Sequence, residues 1–283
     1  MRRFSVSFPT RRIATGAVAL AAASLIGAAV ATAAGPAIQT FTPRSANQIT
    51  NLDVLRQQIR NYYGDPMGTG AFADDSNYAK EADSVADAGE RYLAARAHGH
   101  SSRMKAIVLD VDDTTLATWN YVVFSNWAYN PSTNGTYVTD ELFPAVPGML
   151  DMVKKAANEG YAIIFITGRP AAQEAATLGN LTSDGVGVDA GYPDPTTLVD
   201  GEDGLFTKPA VADYPDYLKT ACAAELSVPN GSCTTIHYKS ATRAHIESLG
   251  YDIVADFGDQ YSDLTGGYTD KTFKMPNPNY YLP

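Results

Sequence analysis

Six residues far apart in the chain could share one reaction centre. Two are acids in Asp110-Val111-Asp112-Asp113-Thr114-Thr115. Thr167 opens Thr167-Gly168-Arg169-Pro170, and Lys239 precedes Ser240. The last two acids are Asp259 and Asp263 in Gly258-Asp259-Gln260-Tyr261-Ser262-Asp263. Clustered carboxylates repel one another unless a cation compensates them, and hard oxygen donors favour Mg²⁺ or Ca²⁺ over softer metals. Mg²⁺ takes one or two carboxylates and completes its octahedron with water and phosphate oxygens. A carboxylate facing a phosphoryl group can attack phosphorus once a metal screens their repulsion. One ammonium and one hydroxyl can compensate the non-bridging oxygens. A second carboxyl two residues beyond the first can protonate the leaving alkoxide. The set suits phosphoryl transfer.

Such residues meet only if the chain brings them to one edge. Ala106-Ile107-Val108-Leu109 and Tyr161 to Ile166 (YAIIFI) are short, wholly apolar runs, the mark of strands buried on both faces. Thr234 to Tyr238 and Asp252 to Phe257 read as weaker strands, and each of the four runs directly into one of the polar groups above. Helices are expected between them. Pro147 opens one with Met149, Leu150, Val153, Ala156 and Ala157 on one face, closed by Gly160. Pro170 opens the next, and Ser240 N-caps another ending at Gly250. Alternating apolar strands and helices predict an α/β fold, a Rossmann-like parallel sheet with helices on both faces. Ligands then bind beyond the carboxyl ends of the strands. Upstream, Asn47 to Tyr63 and Asp74 to Ala97 read as amphipathic helices packed on that core. In the first, Ile49, Leu52, Leu55 and Ile59 recur at helical spacing.

The order DVDDT, a strand ending in Thr, then Lys, then GDxxxD resembles the four signature motifs of the haloacid dehalogenase (HAD) superfamily. YKSATR, GYDIV, GDQYSDL and the tail TFKMPNPNYY are similar to its acid phosphatase branch. That branch includes bacterial class B and C acid phosphatases and plant vegetative storage proteins. The likeness runs from about Asn47 to Tyr281. It implies that Asp110 is the nucleophile and forms an aspartyl-phosphate. Asp112 then protonates the leaving oxygen and later activates water, which implies a mildly acidic optimum. Thr167 and Lys239 hold phosphoryl oxygens. The implied cofactor is Mg²⁺, bound by the Asp110 side chain, the Asp112 carbonyl and Asp259, with Asp263 in support or as a hold on Lys239. A small cap is expected at about 116–146, within a core domain of 104–283 that follows an N-terminal arm and helices at 35–103. Two features depart from the family pattern. Tyr261 stands where plant members usually carry Trp, and Gly185 to Lys208, rich in Gly, Asp and Pro, reads as an added loop near the site.

The chain has 283 residues, with 21 basic against 31 acidic. Residues 1–34 hold Arg2, Arg3, Arg11 and Arg12 and no acid, so the remainder carries a formal −14. A surface this acidic argues against nucleic-acid polymers and anionic membranes as partners, and leaves room for a small phosphomonoester. The basic start, the apolar run Ile13 to Val30 and the small residues Ala31-Thr32-Ala33-Ala34-Gly35 have the order of a secretory signal, cleaved near Ala33 or Ala34. The mature protein is therefore expected outside the cytoplasm and off the membrane. In an oxidising compartment Cys222 and Cys233, around the turn Pro229-Asn230-Gly231, read as a disulfide.

Other residues invite a chemical and a plainer reading. Asp113 reads as a turn hydrogen bonder, and Arg243 as structural. Arg169 can reach phosphate or pair with an acid of the pocket. The aromatics Trp119, Tyr121, Phe124, Trp127 and Tyr129 either stack on an aromatic leaving group or pack the cap. His98, His100, His237 and His245 show no ligand spacing. A non-enzymatic storage or binding protein on the same fold is the alternative function, and the presence of Asp110 with all its partners weighs against it. A phospho-receiver domain would be shorter, and a dehalogenase has no need of Asp112.

Overall fold

A computed structural model describes residues 41–99, 101–183, 185–223 and 231–282. The expected export segment, His100, Pro229 and Asn230 lie outside the described residues. Two helices come first, α1 (Leu52–Tyr62) and α2 (Asn77–Ala97). Then follow β1 (Met104–Leu109), α3 (Trp119–Phe124), α4 (Pro131–Thr139), α5 (Met149–Asn158), β2 (Ala162–Pro170) and α6 (Glu174–Leu181). The chain continues with β3 (Leu205–Lys208), α7 (Asp216–Cys222), α8 (Thr235–Ser248), β4 (Tyr251–Gly258), α9 (Tyr261–Leu264) and β5 (Thr272–Lys274).

The five strands form one sheet in the order β3-β2-β1-β4-β5, every pairing parallel. Alternation along β1 explains its apolar run. Ile107 and Leu109 face a core with Ile163, Phe165, Ala255 and Phe257, covered by α2 and α5. Ala106 and Val108 face another with Ile164, Ile166 and Ile253, covered by Leu218 of α7 and Tyr238 and Ile246 of α8. With both faces covered from Ala106 to Leu109, none of these four positions favours a polar residue. α2 lies so close to β4 that a Cβ on its Gly89 would meet the Phe257 ring at 2.6 Å. α5 buries Met149, Val153 and Ala156 of its expected face together with Met152, while Leu150 and Ala157 are half-buried.

Three expectations are corrected. Thr234 to Tyr238 is not a strand but the start of α8: Thr234 caps the helix by accepting the His237 N–H at 3.1 Å, and Ser240 lies inside it. Tyr238, Thr242 and Ile246 then fall on its buried side at helical spacing. The stretch from Gly185 to Lys208 is not only a loop, since it ends in β3, an edge strand four residues long. The first helix begins at Leu52 and not at Asn47, which leaves Ile49 before it in extended backbone; of the apolar stripe only Ile59 is buried, while Ile49, Leu52 and Leu55 are 60%, 56% and 41% exposed.

Among the described residues no helix is long and apolar enough to cross a membrane. A disulfide joins Cys222, at the end of α7, to Cys233, two residues before α8, with Cα atoms 5.1 Å apart.

Candidate active site

The carboxyl ends of β1, β2 and β4 open into a cavity of about 530 Å³. Asp110, Asp112, Thr167, Lys239, Asp259 and Asp263 all line it, so the fold brings together the six residues from which the sequence reading began. Asp110 directly follows β1, its N–H donating to the Phe257 carbonyl at 2.9 Å. The chain then turns tightly. The N–H groups of Thr115 and Leu116 return to the Val111 carbonyl at 3.0 and 2.9 Å, and the Thr115 hydroxyl donates to the Asp110 carbonyl at 3.1 Å. Asp113 sits in this turn at φ 57°, its carboxylate accepting from the Thr118 N–H and hydroxyl at 2.9 and 2.6 Å. Its part is structural, as its position in the motif suggests.

Lys239 reaches in from the second turn of α8. Its side chain is 4% exposed, and its ammonium contacts Asp110 Oδ1 and, at 2.8 Å, Asp263 Oδ1. Burial works against the charged ammonium, but Asp110 and Asp263 outweigh it and hold its pKa above the ordinary value. The acids feel the converse. Burial pushes the Asp110 carboxyl up to about 7, with Lys239 opposing and Asp263 and Asp112 adding repulsion. Asp259 is driven well above the usual carboxylate range by burial and by repulsion from Asp263, Asp110 and Asp113. Ligand atoms of Asp110, Asp259 and Asp263 all lie within 4.8 Å of one another, a grouping able to hold a cation.

The GDxxxD segment has its own logic. Asp263 Oδ2 accepts the Gln260 N–H at 2.8 Å and so caps α9, while its other oxygen meets Lys239. A Cβ on Gly258 would stand 2.5 Å from the Asp263 Cβ, so the motif's glycine leaves room for its second acid. Asp259 Oδ2 accepts from the side-chain amides of Gln260 and Asn277, each at 2.6 Å. Asn277, and Tyr280, whose phenol hydrogen-bonds to Asp113, belong to the C-terminal tail. Neither was assigned a role from the sequence; the family-like TFKMPNPNYY tail was the available signal.

Arg169 pairs with an acid of the pocket. Its Nη2 and Nε donate to the two oxygens of Asp112 at 2.7 and 3.1 Å. Arg243 is structural: its guanidinium lies 3.0 Å from Asp256 and donates to the Asp263, Thr265 and Gly267 carbonyls. Of the aromatic run, Trp119 is buried core, stacked on Tyr63 with centroids 4.1 Å apart. Tyr121, Trp127 and Tyr129 line the cavity, and Phe124 is 60% exposed. Lys208, at the end of β3, also lines it, a contribution hidden inside the supposed loop. His245 has Asp200 and Glu202 at 3.8 Å on the surface, a proximity that sequence spacing conceals.

The family model described as HAD superfamily, subfamily IIIB (acid phosphatase) matches residues 23–283. The chain is 31% identical over 180 residues to the stem 28 kDa glycoprotein of Glycine max, an alignment covering 62% of this chain and 59% of that protein. With the soybean stem glycoproteins it thus shares only half to three-fifths of their length. It is 29% identical to acid phosphatase 1 of Solanum lycopersicum over 72% of this chain and 69% of that one. Among solved structures, the class C acid phosphatase of Bacillus anthracis with tungstate bound superposes with a TM-score of 0.56 at 20% identity, covering 81% of this chain and 87% of that one. That likeness is one of fold.

Proposed function

The chain belongs to the acid phosphatase subfamily IIIB of the HAD superfamily, and from that premise we propose that it is an exported, Mg²⁺-dependent phosphomonoesterase acting through an aspartyl-phosphate. The observation that carries the reading is the buried meeting of Asp110, Asp259 and Asp263 with Lys239 at the carboxyl edge of the sheet. The donor set suits a hard divalent ion. Three buried carboxylates face one ammonium, and the raised Asp110 and Asp259 carboxyls register the uncompensated charge. Asp110, the Asp112 carbonyl and Asp259 would hold Mg²⁺, with Asp263 supporting through Lys239. When bound, the ion supplies the screening that lets one anion approach another.

In the first step Asp110 attacks phosphorus and the bond to the ester oxygen breaks. That oxygen takes a proton from Asp112 and leaves as the alcohol. In the second step Asp112, now ionised, takes a proton from water. The water oxygen attacks phosphorus, and the acyl-phosphate bond breaks to release Asp110 and phosphate. One ester and one water become one alcohol and one phosphate. Lys239 and the Thr167 hydroxyl would hold the non-bridging oxygens. Export is supported by the arginine-led N-terminal segment and by the disulfide.

The test is hydrolysis of p-nitrophenyl phosphate by the purified protein. Activity should fall below one hundredth with excess chelator, return with Mg²⁺, and be lost in Asp110→Asn, with an optimum on the acidic side of neutrality. Full activity in the Asn variant, or activity indifferent to chelator, would sink the reading.

A further inference from the structure

We infer that Arg169 is a positioning residue for the general acid, holding the Asp112 carboxylate in one orientation toward the cavity. The inference rests on the phosphatase reading above. Arg169 follows the Thr167-Gly168 pair at the end of β2, and its side chain is 3% exposed. It is fixed from three directions. Nη1 donates at 3.1 Å to the Thr177 hydroxyl, which itself donates to the Gln173 carbonyl at 2.8 Å. The guanidinium lies over the Phe143 ring, 5.4 Å from its centroid. Phe143 is in turn tied to the Asn180 side chain through both its backbone N–H, at 3.3 Å, and its carbonyl, at 2.8 Å. The remaining nitrogens, Nε and Nη2, form a planar fork that grips both oxygens of Asp112.

The need for such a clamp follows from the chemistry. Asp112 must give a proton to the ester oxygen and later take one from a water arriving in its place. Its carboxylate is 32% exposed, and unclamped it could rotate away from that line. A bidentate guanidinium occupies one lone-pair site on each oxygen and leaves others for the reacting proton. Lysine could supply the charge but not the fork. Three of the five guanidinium N–H groups of Arg169 are engaged by the protein, and two of these form the fork on Asp112, so its geometry is directed at Asp112.

The experiment compares p-nitrophenyl phosphate with phenyl phosphate, esters of similar shape whose leaving groups differ in their need for a proton. For Arg169→Lys, kcat/KM on phenyl phosphate should fall at least about tenfold more than on p-nitrophenyl phosphate, because protonation matters most for the poorer leaving group. Competitive inhibition by inorganic phosphate should stay within about twofold of wild type, as the phosphoryl oxygens keep their holders. Thr177→Val, which removes the Nη1 acceptor and the hydroxyl's bond to the Gln173 carbonyl but leaves the fork on Asp112, should give the same pattern more weakly. It keeps the test decisive if circular dichroism shows Arg169→Lys to be unfolded. Equal losses on both esters with weakened phosphate inhibition would make Arg169 a phosphate ligand and overturn the inference. Equal losses with unchanged inhibition would reduce it to a structural residue, which also overturns it. A wild-type protein inert on both esters would refute the phosphatase reading itself, and this inference with it.

Discussion

Lys239 Nζ lies 2.8 Å from Asp263 Oδ1, while Asp263 Oδ2 accepts the Gln260 N–H at 2.8 Å. The second acid in GDxxxD is therefore paired with a buried ammonium, whereas Asp259 accepts from neutral donors, the Gln260 and Asn277 amides and the Thr114 hydroxyl, and that difference separates their parts. Asp259→Asn should raise the Mg²⁺ concentration needed for half activity about a hundredfold or more. Asp263→Asn should leave that concentration within about tenfold, while lowering kcat and costing about 3–5 kcal/mol of stability, since Lys239 loses half of its buried compensation. Metal titrations of activity with urea unfolding check both. Equal metal dependence in the two variants would contradict the division of roles.

Asn277 donates to Asp259 Oδ2 at 2.6 Å from the C-terminal tail. Partners of this kind orient a metal-binding carboxylate, and losing one typically costs 10–100-fold in affinity. Asn277→Ala should weaken Mg²⁺ binding by about tenfold or more. Calorimetric titration of the folded variant would show it. An unchanged dissociation constant would make the tail merely a cover.

How far the sequence revealed this arrangement depends on how local each cause is. The Ala106–Leu109 run and YAIIFI declare central strands because both of their faces are buried, and the polar groups that follow them are set by chain continuity alone. Lys239 does reach the cavity with the acids, but from a helix and not from the end of a strand. Thr, Ile and Tyr suit a strand, and what makes α8 is a single capping bond at Thr234 together with packing on the sheet. β3 is only four residues long, so its alternation of buried Leu205 and Thr207 with half-buried Phe206 and Lys208 is too brief to carry a pattern. The stripe on α1 has helical spacing, yet periodicity states only that a face exists and not that something covers it. Arg169 could have served phosphate or acid, and the choice depends on Thr177 and Phe143, which are remote in sequence.

Gly258 tests the packing of the motif without touching a charge. Because an added Cβ would stand 2.5 Å from Asp263 Cβ, Gly258→Ala must displace either that side chain or the end of β4. Overpacking of this size costs about 1–3 kcal/mol. Displacing Asp263 also frees Lys239, so kcat should fall about tenfold or more with the metal requirement little changed. Thermal unfolding and metal-dependent kinetics on the variant decide the matter. Wild-type kinetics would show that the site accommodates the methyl group.

The disulfide closes the stretch between α7 and α8, the helix that carries Lys239. A loop of this length contributes about 2–3 kcal/mol by restricting the unfolded chain. Cys222→Ser with Cys233→Ser should lower the unfolding midpoint accordingly, and a reducing agent should lower that of the wild type to match. A midpoint insensitive to both would remove the bridge from the account of stability.

Asp256 offers a pH test that stands apart from the metal-binding acids. It is buried on β4 with Arg243 3.0 Å away, and burial pushes its carboxyl from 3.8 up to about 7, against the pull of Arg243 and with repulsion from Asp263. The folded protein thus binds this proton more tightly than the unfolded chain does. The stability it contributes is fully present below about 3.8 and is lost as pH rises through about 7. Between about pH 6 and about pH 8 this one group should cost the wild type about 1 kcal/mol. Asp256→Asn cannot ionise and should lack that part of the slope. Urea midpoints at the two pH values, taken in chelator so that metal binding does not contribute, give the difference directly. Other buried acids titrate in both proteins and cancel in the comparison, so parallel slopes would mean that Asp256 stays ionised on Arg243 throughout and that their attraction, rather than burial, governs the pair.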